Sequence, residues 1–277
     1  MTDKVLIIGG GVRLLNAAEA FRKNGFETFV YDGSEPLKGV VDNSDIILLG
    51  LPASKDDVHI SECSPPVTLR DIAAMCSSGK KIVFGGMMSE RVKALFDVYS
   101  VRWADYAKNE GFEIMNAVPT AEGAIRIIMD EFPFTVHSSR IAVTGYGKVA
   151  KALAKRLKAL GSECIIVARN PHARAEAEAD GFISIDFPLL PKLIPKCHIL
   201  INTVPAMVCT KEVLGNMSPS QGIIDLASKP GGVDLNAAKI FGVNVIWALG
   251  LPGKCAPQTA GEIIQKTVCN IMNELRL

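Results

Sequence analysis

Short apolar runs and longer amphipathic stretches alternate along the whole chain. In the first half, runs of strand length lie at 4–10, 27–32, 44–52, 80–86 and 112–119, and stretches of helical character lie at 14–24, 68–78 and 90–109. In the second half, the strand-like runs lie at 140–145, 163–169, 182–186, 197–205, 221–228 and 243–250, and the helical stretches lie at 147–160 and 171–180. This alternation predicts an α/β fold with two Rossmann-like domains, each built on a doubly wound parallel sheet.

A helix predicted at 119–131 joins the two series. Pro119 precedes the run, and Ile125, Ile128 and Met129 fall on one helical face. The polar stretch that follows this helix leads into the first strand of the second half. We therefore expect an interdomain helix here.

The chain of 277 residues is longer than a typical single α/β domain, which also favours two domains. We expect a substrate and catalytic domain at 1–131 and a nucleotide-binding domain at 132–256, with the boundary near 132–139. A last helix, predicted at 257–275 within the segment 257–277, is a candidate for completing the first domain.

Charge and hydropathy exclude two classes of partner. The chain carries 30 basic and 29 acidic residues, a formal net charge of +1, and neither sign forms a long run that could follow a nucleic-acid backbone. No run of about 18 apolar residues could cross a membrane, and the sequence opens directly on a strand without a basic leader. We expect a cytoplasmic protein that binds neither nucleic acid nor membrane.

Cysteine and histidine usage does not predict a metal site. The seven cysteines are an odd number with no CxxC pair, and the four histidines (His59, His137, His172 and His198) are dispersed along the chain. We therefore expect neither disulfides nor bound metal.

A glycine-rich turn follows the first strand of the second half. Gly145-Tyr146-Gly147-Lys148-Val149, followed by Ala150, fits the GxGxxA pattern between a strand and a helix. Gly145 permits a tight turn, Gly147 lets backbone amides approach a pyrophosphate, and Ala150 lets the helix pack closely on its strand. The pattern predicts a dinucleotide site that uses residues 145–149.

The residues after the next strand suggest which dinucleotide binds. An NAD enzyme usually has Asp or Glu there for the ribose 2′-hydroxyl, whereas this chain has Arg169 and Asn170. A guanidinium can donate planar, charge-assisted hydrogen bonds to a 2′-phosphate, so NADP is favoured over NAD. An ordinary surface arginine is the alternative.

Three further loops follow apolar strands and contain proline or glycine. They supply the other predicted cofactor contacts: Thr203, Val204 and Pro205 in the first loop, Ala227 and Ser228 in the second, and Leu251 and Pro252 in the third. A polar segment at 52–67 is either a lid over the substrate or a tolerated surface insertion.

The first half also begins with a strand, glycines and a helix. A dinucleotide there is disfavoured because Leu14 occupies the third small position, although Asp32 ends the second strand as in an NAD site. We expect Gly9–Arg13 to hold a substrate carboxylate instead, and a purely structural turn is the alternative.

Several motifs together resemble the A subunit of dipicolinate synthase, a dehydrogenase-like family of sporulating bacteria. They are NAVPTAEGAI (116–125), GYGKVAKALAKRL (145–157), INTVPAMV (201–208), DLASKPGGVD (225–234) and LGLPGKCAPQTAG (249–261). The resemblance covers the chain from the first strand to the last helix. It implies NADP-dependent oxidation of a dihydrodipicolinate-type intermediate derived from 4-hydroxy-tetrahydrodipicolinate, a partner in the flavoprotein-like B subunit of the same synthase, and action in the mother cell during sporulation.

A dicarboxylate substrate needs cationic or hydroxyl donors and a proton acceptor. We expect Arg13, Thr120 and Lys254 to bind the substrate, with Arg126 as a further candidate. Ser228 and Lys229 are predicted catalytic residues. Glu122 is the predicted base, provided that desolvation raises its pKa. We also expect the chain to form a homo-oligomer.

Two other functions remain open from sequence. A D-2-hydroxyacid dehydrogenase shares the expected build but needs a histidine acid near its last strand, and residues 243–262 contain no histidine. A non-catalytic NADP-binding protein that regulates or scaffolds a partner is the second alternative, because a fold alone does not establish catalysis.

Overall fold

The structure, a computed structural model, describes residues 3–77 and 79–275. In chain order its strands are β1 (Lys4–Ile8), β2 (Glu27–Tyr31), β3 (Ile46–Leu49), β4 (Ile82–Gly85), β5 (Arg102–Asp105), β6 (Arg140–Thr144), β7 (Glu163–Val167), β8 (Ile183–Ile185), β9 (Ile199–Asn202), β10 (Gly222–Asp225) and β11 (Asn244–Trp247). Its α-helices are α1 (Gly11–Lys23), α2 (Leu37–Asp42), α3 (Leu69–Cys76), α4 (Glu90–Val98), α5 (Glu110–Glu131), α6 (Lys148–Ala159), α7 (Pro171–Ala179), α8 (Leu190–Leu193), α9 (Lys211–Gly215), α10 (Leu235–Phe241), α11 (Leu251–Cys255) and α12 (Pro257–Glu274).

The chain divides into two compact units. The first contains the residues up to Asn116 together with those from Ala256 onward, and the second contains Ala117–Cys255. The division lies within α5, because Phe112 packs in the core of the first unit and later residues such as Ile128 pack in the core of the second. The cut predicted near 132–139 lies after this helix.

Each unit contains one parallel sheet. The first sheet has the strand order β2-β1-β3-β4-β5, and the second has the order β11-β10-β9-β6-β7-β8. The central strands β1 and β3 are almost wholly apolar and buried, as expected for parallel strands covered by helices on both faces. The predicted fold class, two Rossmann-like α/β domains with parallel sheets, is confirmed.

Strand order locates the place in each sheet where connections leave in opposite directions. In the first sheet this point lies between β1 and β3, and in the second it lies between β6 and β9. Open α/β sheets bind ligands at such a switch point, outside the carboxyl ends of the strands. A ligand site is therefore expected among the residues that follow these four strands.

Three local predictions were wrong. Residues 112–119 are not a strand but part of α5, in which Pro119 lies inside the helix rather than before it. Along α5, Phe112, Ala117 and Ala121 are buried at intervals of five and four residues, close to the helical repeat, whereas Met129 is exposed. The predicted helix at 90–109 ends at Val98 and is followed by the edge strand β5, and the predicted loop after β11 contains the short helix α11.

Within the described residues, no helix has both the length and the apolar content that a membrane span requires.

The last helix, α12, packs against α1 within the first unit. Gly261 of α12 is buried, and a Cβ atom at this position would lie 2.5 Å from the amide nitrogen of Ala17 and 2.6 Å from the carbonyl carbon of Asn16. Both atoms belong to the backbone of α1, so they cannot move aside as a flexible side chain could. The close contact between the two helices therefore requires glycine here.

We predict that Gly261→Ala lowers the free energy of unfolding by about 1–3 kcal/mol, because the added methyl group overpacks this contact. Urea unfolding of the full chain would measure the loss. Gly39→Ala is the matched control, since Gly39 lies in α2 with no atom within 4 Å of its Cβ position. It should stabilise the protein by up to about 1 kcal/mol through helix propensity, and equal effects of the two substitutions would contradict the prediction.

Candidate functional site

A cavity of about 670 Å³ lies at the carboxyl edge of the second sheet. Its lining includes Gly145 and Tyr146 after β6, Arg169 and Asn170 after β7, and Val204 after β9. The cavity therefore borders the switch point of this sheet, where the strand order predicts a ligand.

The glycine turn is shaped by close contacts on one side and open space on the other. Gly145 has a φ of 81°, and a Cβ atom there would lie 2.9 Å from Oγ1 of Thr203 and 3.0 Å from Cγ2 of Val204. At Gly147 a Cβ atom would meet nothing within 4 Å. Ala150 is fully buried, as required where α6 packs on its strand.

These features fit a dinucleotide. The first turn of α6 has no side-chain cap, so its backbone amides remain available to an anion such as a pyrophosphate. The open space at Gly147 is where a ligand backbone could approach those amides. The side chains of Lys148 and Val149, the other predicted contacts, are half-buried at the start of α6.

Tyr146 lines the cavity, but its hydroxyl binds elsewhere. The hydroxyl donates a hydrogen bond of 2.6 Å to Oδ2 of Asp180, at the end of α7, and the ring makes an edge contact with Phe182. Burial and the bond to Asp180 raise the pKa of Tyr146. Tyr146 thus joins the glycine turn to α7, and it can offer a cofactor only its backbone and ring.

Arg169 and Asn170 are exposed at the rim of the cavity. The side-chain oxygen of Asn170 accepts a hydrogen bond of 2.9 Å from the amide of His172 and so caps α7. The neighbouring Arg174 donates from Nη1 to the carbonyl oxygens of Ala168 and Arg169, at 2.8 and 2.9 Å. Arg174 therefore fixes the backbone from which the Arg169 side chain projects.

A buried polar network, not anticipated from the sequence, connects the ends of β6, β9 and β10. Asn202 is fully buried; its Oδ1 accepts a 2.5 Å hydrogen bond from the hydroxyl of Thr144, and its Nδ2 donates a 2.7 Å bond to Oδ1 of Asp225. The carboxylate of Asp225 also accepts from the amides of Ala227 at 3.0 Å and Gly232 at 2.8 Å. The only sequence signal was a polar residue at the end of each apolar strand.

The network places the loops that follow β9 and β10. Thr203 donates a 2.6 Å hydrogen bond to the carbonyl oxygen of Thr144, so its hydroxyl is directed to β6. Val204 lines the cavity, and Pro205 is exposed. Ala227 is buried, and its carbonyl oxygen accepts a 2.9 Å bond from the indole of Trp247.

The remaining predicted residues of the second unit differ in burial. Ser228 and Lys229 are exposed after β10, and Lys254 is exposed on α11. Leu251 and Pro252 are buried, because α11 packs against α5 where Gly123 provides space. Their side chains belong to the core, and the prediction that they lie in an open loop was wrong.

The predicted base and its neighbours lie on α5. Glu122 is exposed and forms an ion pair of 3.3 Å with Nε of Arg156. This exposure removes the desolvation on which its predicted role depended. Arg126 is also exposed and pairs with Asp130 at 3.3 Å, one helical turn away, while Thr120 is half-buried.

Arg13, the predicted substrate residue of the first unit, lies in the first turn of α1. Its guanidinium donates a hydrogen bond to Oδ1 of Asn116, and burial lowers its pKa. In the same unit, the side chain of Leu14 lies against Gly10. A dinucleotide site would need a small residue at position 14, so that the helix could pack closely on its strand. Across residues 3–77 and 79–275, no group of three or more potential ligand side chains is arranged to hold a metal ion.

Comparison with known proteins agrees with this geometry. The sequence model of the D-isomer specific 2-hydroxyacid dehydrogenase NAD-binding domain matches residues 123–227. The fold, the glycine turn and this match define the chain as an NAD(P)-dependent dehydrogenase, an oxidoreductase that uses a nicotinamide cofactor.

The resemblance to the A subunit of dipicolinate synthase is confirmed over nearly the whole chain. The sequence is 26% identical to this protein of Bacillus subtilis (strain 168) over 287 residues, which covers 99% of this chain and 97% of the relative. The crystal structure of the Bacillus halodurans relative superposes with a TM-score of 0.88 at 25% identity, covering 98% of this chain and 97% of that one. The Bacillus subtilis structure gives a TM-score of 0.86 at 25% identity, covering 100% and 97%.

We predict that Asp225→Asn destabilises the second unit by about 2–3 kcal/mol, because an amide NH₂ would face donors that now share a buried carboxylate. Urea unfolding would measure the loss, and nicotinamide dinucleotide binding should weaken in parallel as the loops lose their anchor. Asp130→Asn, at an exposed ion pair, should change stability by less than about 1 kcal/mol. Asp225→Asn with wild-type stability would contradict the assigned role of the network.

Proposed function

We propose that this protein is an NADP-dependent oxidoreductase that forms dipicolinate from a dihydrodipicolinate-type intermediate, as one subunit of a synthase. The proposal is supported by similarity to the A subunit of dipicolinate synthase over 99% of the chain. The observation that carries the cofactor assignment is the exposed Arg169 at the rim of the cavity beside the glycine turn. By the same resemblance we expect the protein to act in the mother-cell cytoplasm during sporulation, on a branch of the lysine pathway.

The preference for NADP rests on charge at the end of β7. Among the described residues, no carboxylate forms an ion pair with the Arg169 side chain, whereas Arg174 pairs with Asp186 at 3.6 Å. A 2′-phosphate at the rim would receive charge-assisted hydrogen bonds from the Arg169 guanidinium. The 2′-hydroxyl of NAD would find no carboxylate acceptor at this position.

The 4-hydroxy-tetrahydro compound loses water to give the dihydro intermediate, which then loses a hydride to NADP⁺ and a proton to solvent, giving the aromatic ring of dipicolinate. Bound NADP⁺ supplies the hydride acceptor, and aromatisation provides much of the driving force, so the protein mainly has to position the reacting atoms. The amides at the start of α6 bind the pyrophosphate, and Arg169 binds the 2′-phosphate. Ser228 and Lys229, which are exposed after β10, are the proposed hydrogen-bond donors to a substrate carboxylate.

The other predicted contacts take more limited roles in this proposal. The backbone of Gly145–Val149 and the loops containing Thr203–Pro205 and Ala227 enclose the dinucleotide. Thr120 and Lys254 remain proposed substrate contacts. Glu122 is withdrawn as the base, because it is exposed and paired with Arg156.

The relatives are named as one subunit of a synthase, which suggests an assembly. We propose that this chain acts with the flavoprotein-like B subunit of such a synthase and forms a homo-oligomer. A D-2-hydroxyacid dehydrogenase activity is the second candidate, favoured by the matched NAD-binding domain. It is weakened because residues 243–262 contain no histidine.

The direct test is to incubate the purified protein with NADP⁺ and 4-hydroxy-tetrahydrodipicolinate, with and without the flavoprotein-like partner. We expect NADPH and dipicolinate to appear together, in equal amounts, as measured by their absorbance. Pyruvate reduction with NADH or NADPH would test the second candidate. Activity on neither substrate, despite measurable NADP binding, would leave a non-catalytic binding role.

We predict that Arg169→Asp lowers kcat/KM for NADP⁺ by about 10–100-fold, the loss expected for one or two charge-assisted hydrogen bonds. The value for NAD⁺ should stay level or rise, so the ratio of the two reports the preference. Arg91→Asp, an exposed arginine on α4 of the first unit, is the control and should leave this ratio unchanged. An unaltered ratio in Arg169→Asp would show that another residue selects the cofactor.

A further inference from the structure

Two buried polar atoms of the first unit have no hydrogen-bond partner among the described residues. They are Nε of Arg13 and the hydroxyl oxygen of Ser61. More than about 90% of buried polar groups in native structures have a hydrogen-bond partner. Two unpartnered groups in the same unit therefore need an explanation. A bound ligand that accepts hydrogen bonds is one such cause.

Both residues lie beside the switch point of the first sheet. Arg13 is in the first turn of α1, directly after β1, and the carbonyl oxygen of Ser61 accepts a 2.9 Å hydrogen bond from the amide of Gly10. Gly10 in turn approaches Gly50 at the end of β3, where a Cβ atom would lie 2.9 Å from the α-carbon of Gly10. The two residues that carry the orphaned atoms thus lie beside the place where strand order alone predicts a ligand.

The position of Ser61 is fixed by the backbone around it. Its side chain is 94% buried, since only 6% remains exposed, and its amide donates a 2.9 Å bond to the carbonyl oxygen of Ala53. At Gly9, which has a φ of 69°, a Cβ atom would collide with the Ser61 carbonyl oxygen. Glycine here lets the segment 52–67 pack directly on the turn after β1.

Arg13 carries a charge that the described residues do not balance. Its guanidinium has one hydrogen-bond acceptor, Oδ1 of Asn116, and no described carboxylate forms an ion pair with it. The nearby hydroxyl of Tyr106 is neutral and donates to the carbonyl oxygen of Leu49 at 3.2 Å. Buried charges are normally paired, so an incoming anion would complete this environment.

A carboxylate already lies near the amino end of α1. Gly10, the residue before the helix, gives no side-chain cap, and the Glu62 carboxylate is so close to Gly11 that a Cβ atom there would collide with it. Glu62 is exposed and pairs with Lys55 at 3.3 Å. Negative charge is favoured at the amino end of a helix, and an anionic ligand would compete with Glu62 for this place.

We propose that Arg13, Ser61 and the amino end of α1 form a carboxylate-binding site in the first unit. Arg13 and the Ser61 hydroxyl donate to the carboxylate oxygens, and the amides of the first turn complete the site. The identity of the ligand, a pyridine dicarboxylate, rests on the proposed function. Its chemistry, recognition of a carboxylate, follows from the two orphaned donors.

The test is isothermal titration of the full chain with pyridine-2,6-dicarboxylate, without turnover. Arg13→Gln should weaken binding by about 10–100-fold, and Ser61→Ala by about 3–10-fold, as expected for charged and neutral donors to a carboxylate. Arg13→Lys, which keeps the charge but loses the planar fork, should fall between wild type and Arg13→Gln. Arg91→Gln and Ser77→Ala, at exposed positions of the same unit, should bind as wild type does.

Thermal unfolding of Ser61→Ala separates binding from structure. Removing a buried hydroxyl that lacks a partner should leave the midpoint unchanged or raise it, while the affinity falls. A lower midpoint together with wild-type affinity would mean that the hydroxyl is structural and would overturn its role in the site. This variant also keeps the proposal testable if Arg13→Gln does not fold.

Glu62→Gln should tighten binding about threefold or more, because it removes a competing negative charge from the amino end of α1. Equal or weaker binding would contradict a carboxylate position at that end of the helix.

A second probe separates this proposal from the proposed function. If glutarate binds in an Arg13-dependent way and pyridine-2,6-dicarboxylate does not, the site stands and the proposed function fails. If neither carboxylate binds, or if both bind Arg13→Gln and Ser61→Ala as tightly as wild type, the site is overturned.

Discussion

The buried side chain of Asn202 is the contact on which the ligand edge of the second unit depends. Its amide group bonds to Thr144 at the end of β6 and to Asp225 at the end of β10, and its Nδ2 also donates to the carbonyl oxygen of Val204 at 3.0 Å. Each bond contributes modestly, but a partner left unsatisfied in this environment would cost more than the bond contributes. The loops that follow three neighbouring strands, β6, β9 and β10, therefore hold one another in place before any ligand arrives.

The polar side chains at the carboxyl edge of the first sheet differ from those of the second sheet in how many hydrogen-bond partners they have. In the second unit the polar side chains at the strand ends form hydrogen bonds with one another and with backbone amides, so they fix the backbone of the loops. In the first unit Arg13 and Ser61 keep buried donors without acceptors among the described residues. Unsatisfied buried donors lower stability, and a ligand that accepts their hydrogen bonds is one explanation for their presence. In the proposals made above, the two edges have different roles: the second unit positions a dinucleotide through its backbone, and the first supplies donors for a carboxylate.

The sequence was sufficient for the features that depend on local pattern. The buried strands, the parallel sheets and the glycine turn could all be predicted, because they depend on apolar periodicity and glycine spacing. The pattern of apolar and polar residues did not predict β5, a half-buried edge strand of sequence RWAD. It also did not predict that α5 continues through Pro119. The bond between Thr144 and Asn202 joins residues 58 positions apart, and no local rule connects them. Residues of one sequence motif (249–261) also differ in burial, which the sequence did not predict: Leu251 packs in the core, whereas Lys254 is exposed.

In the proposed function, cofactor choice at the end of β7 depends on Arg169 and on the partners that its neighbour Arg174 binds. Arg174 uses Nη1 to bind two backbone carbonyls and lies 3.6 Å from Asp186, so the carboxylate of Asp186 is engaged by an arginine other than Arg169. Glu212, which lines the same cavity, works against anion binding, so the rim is not uniformly basic. In the proposed function, discrimination between a 2′-phosphate and a 2′-hydroxyl therefore rests on the Arg169 guanidinium and not on the general charge of the surface.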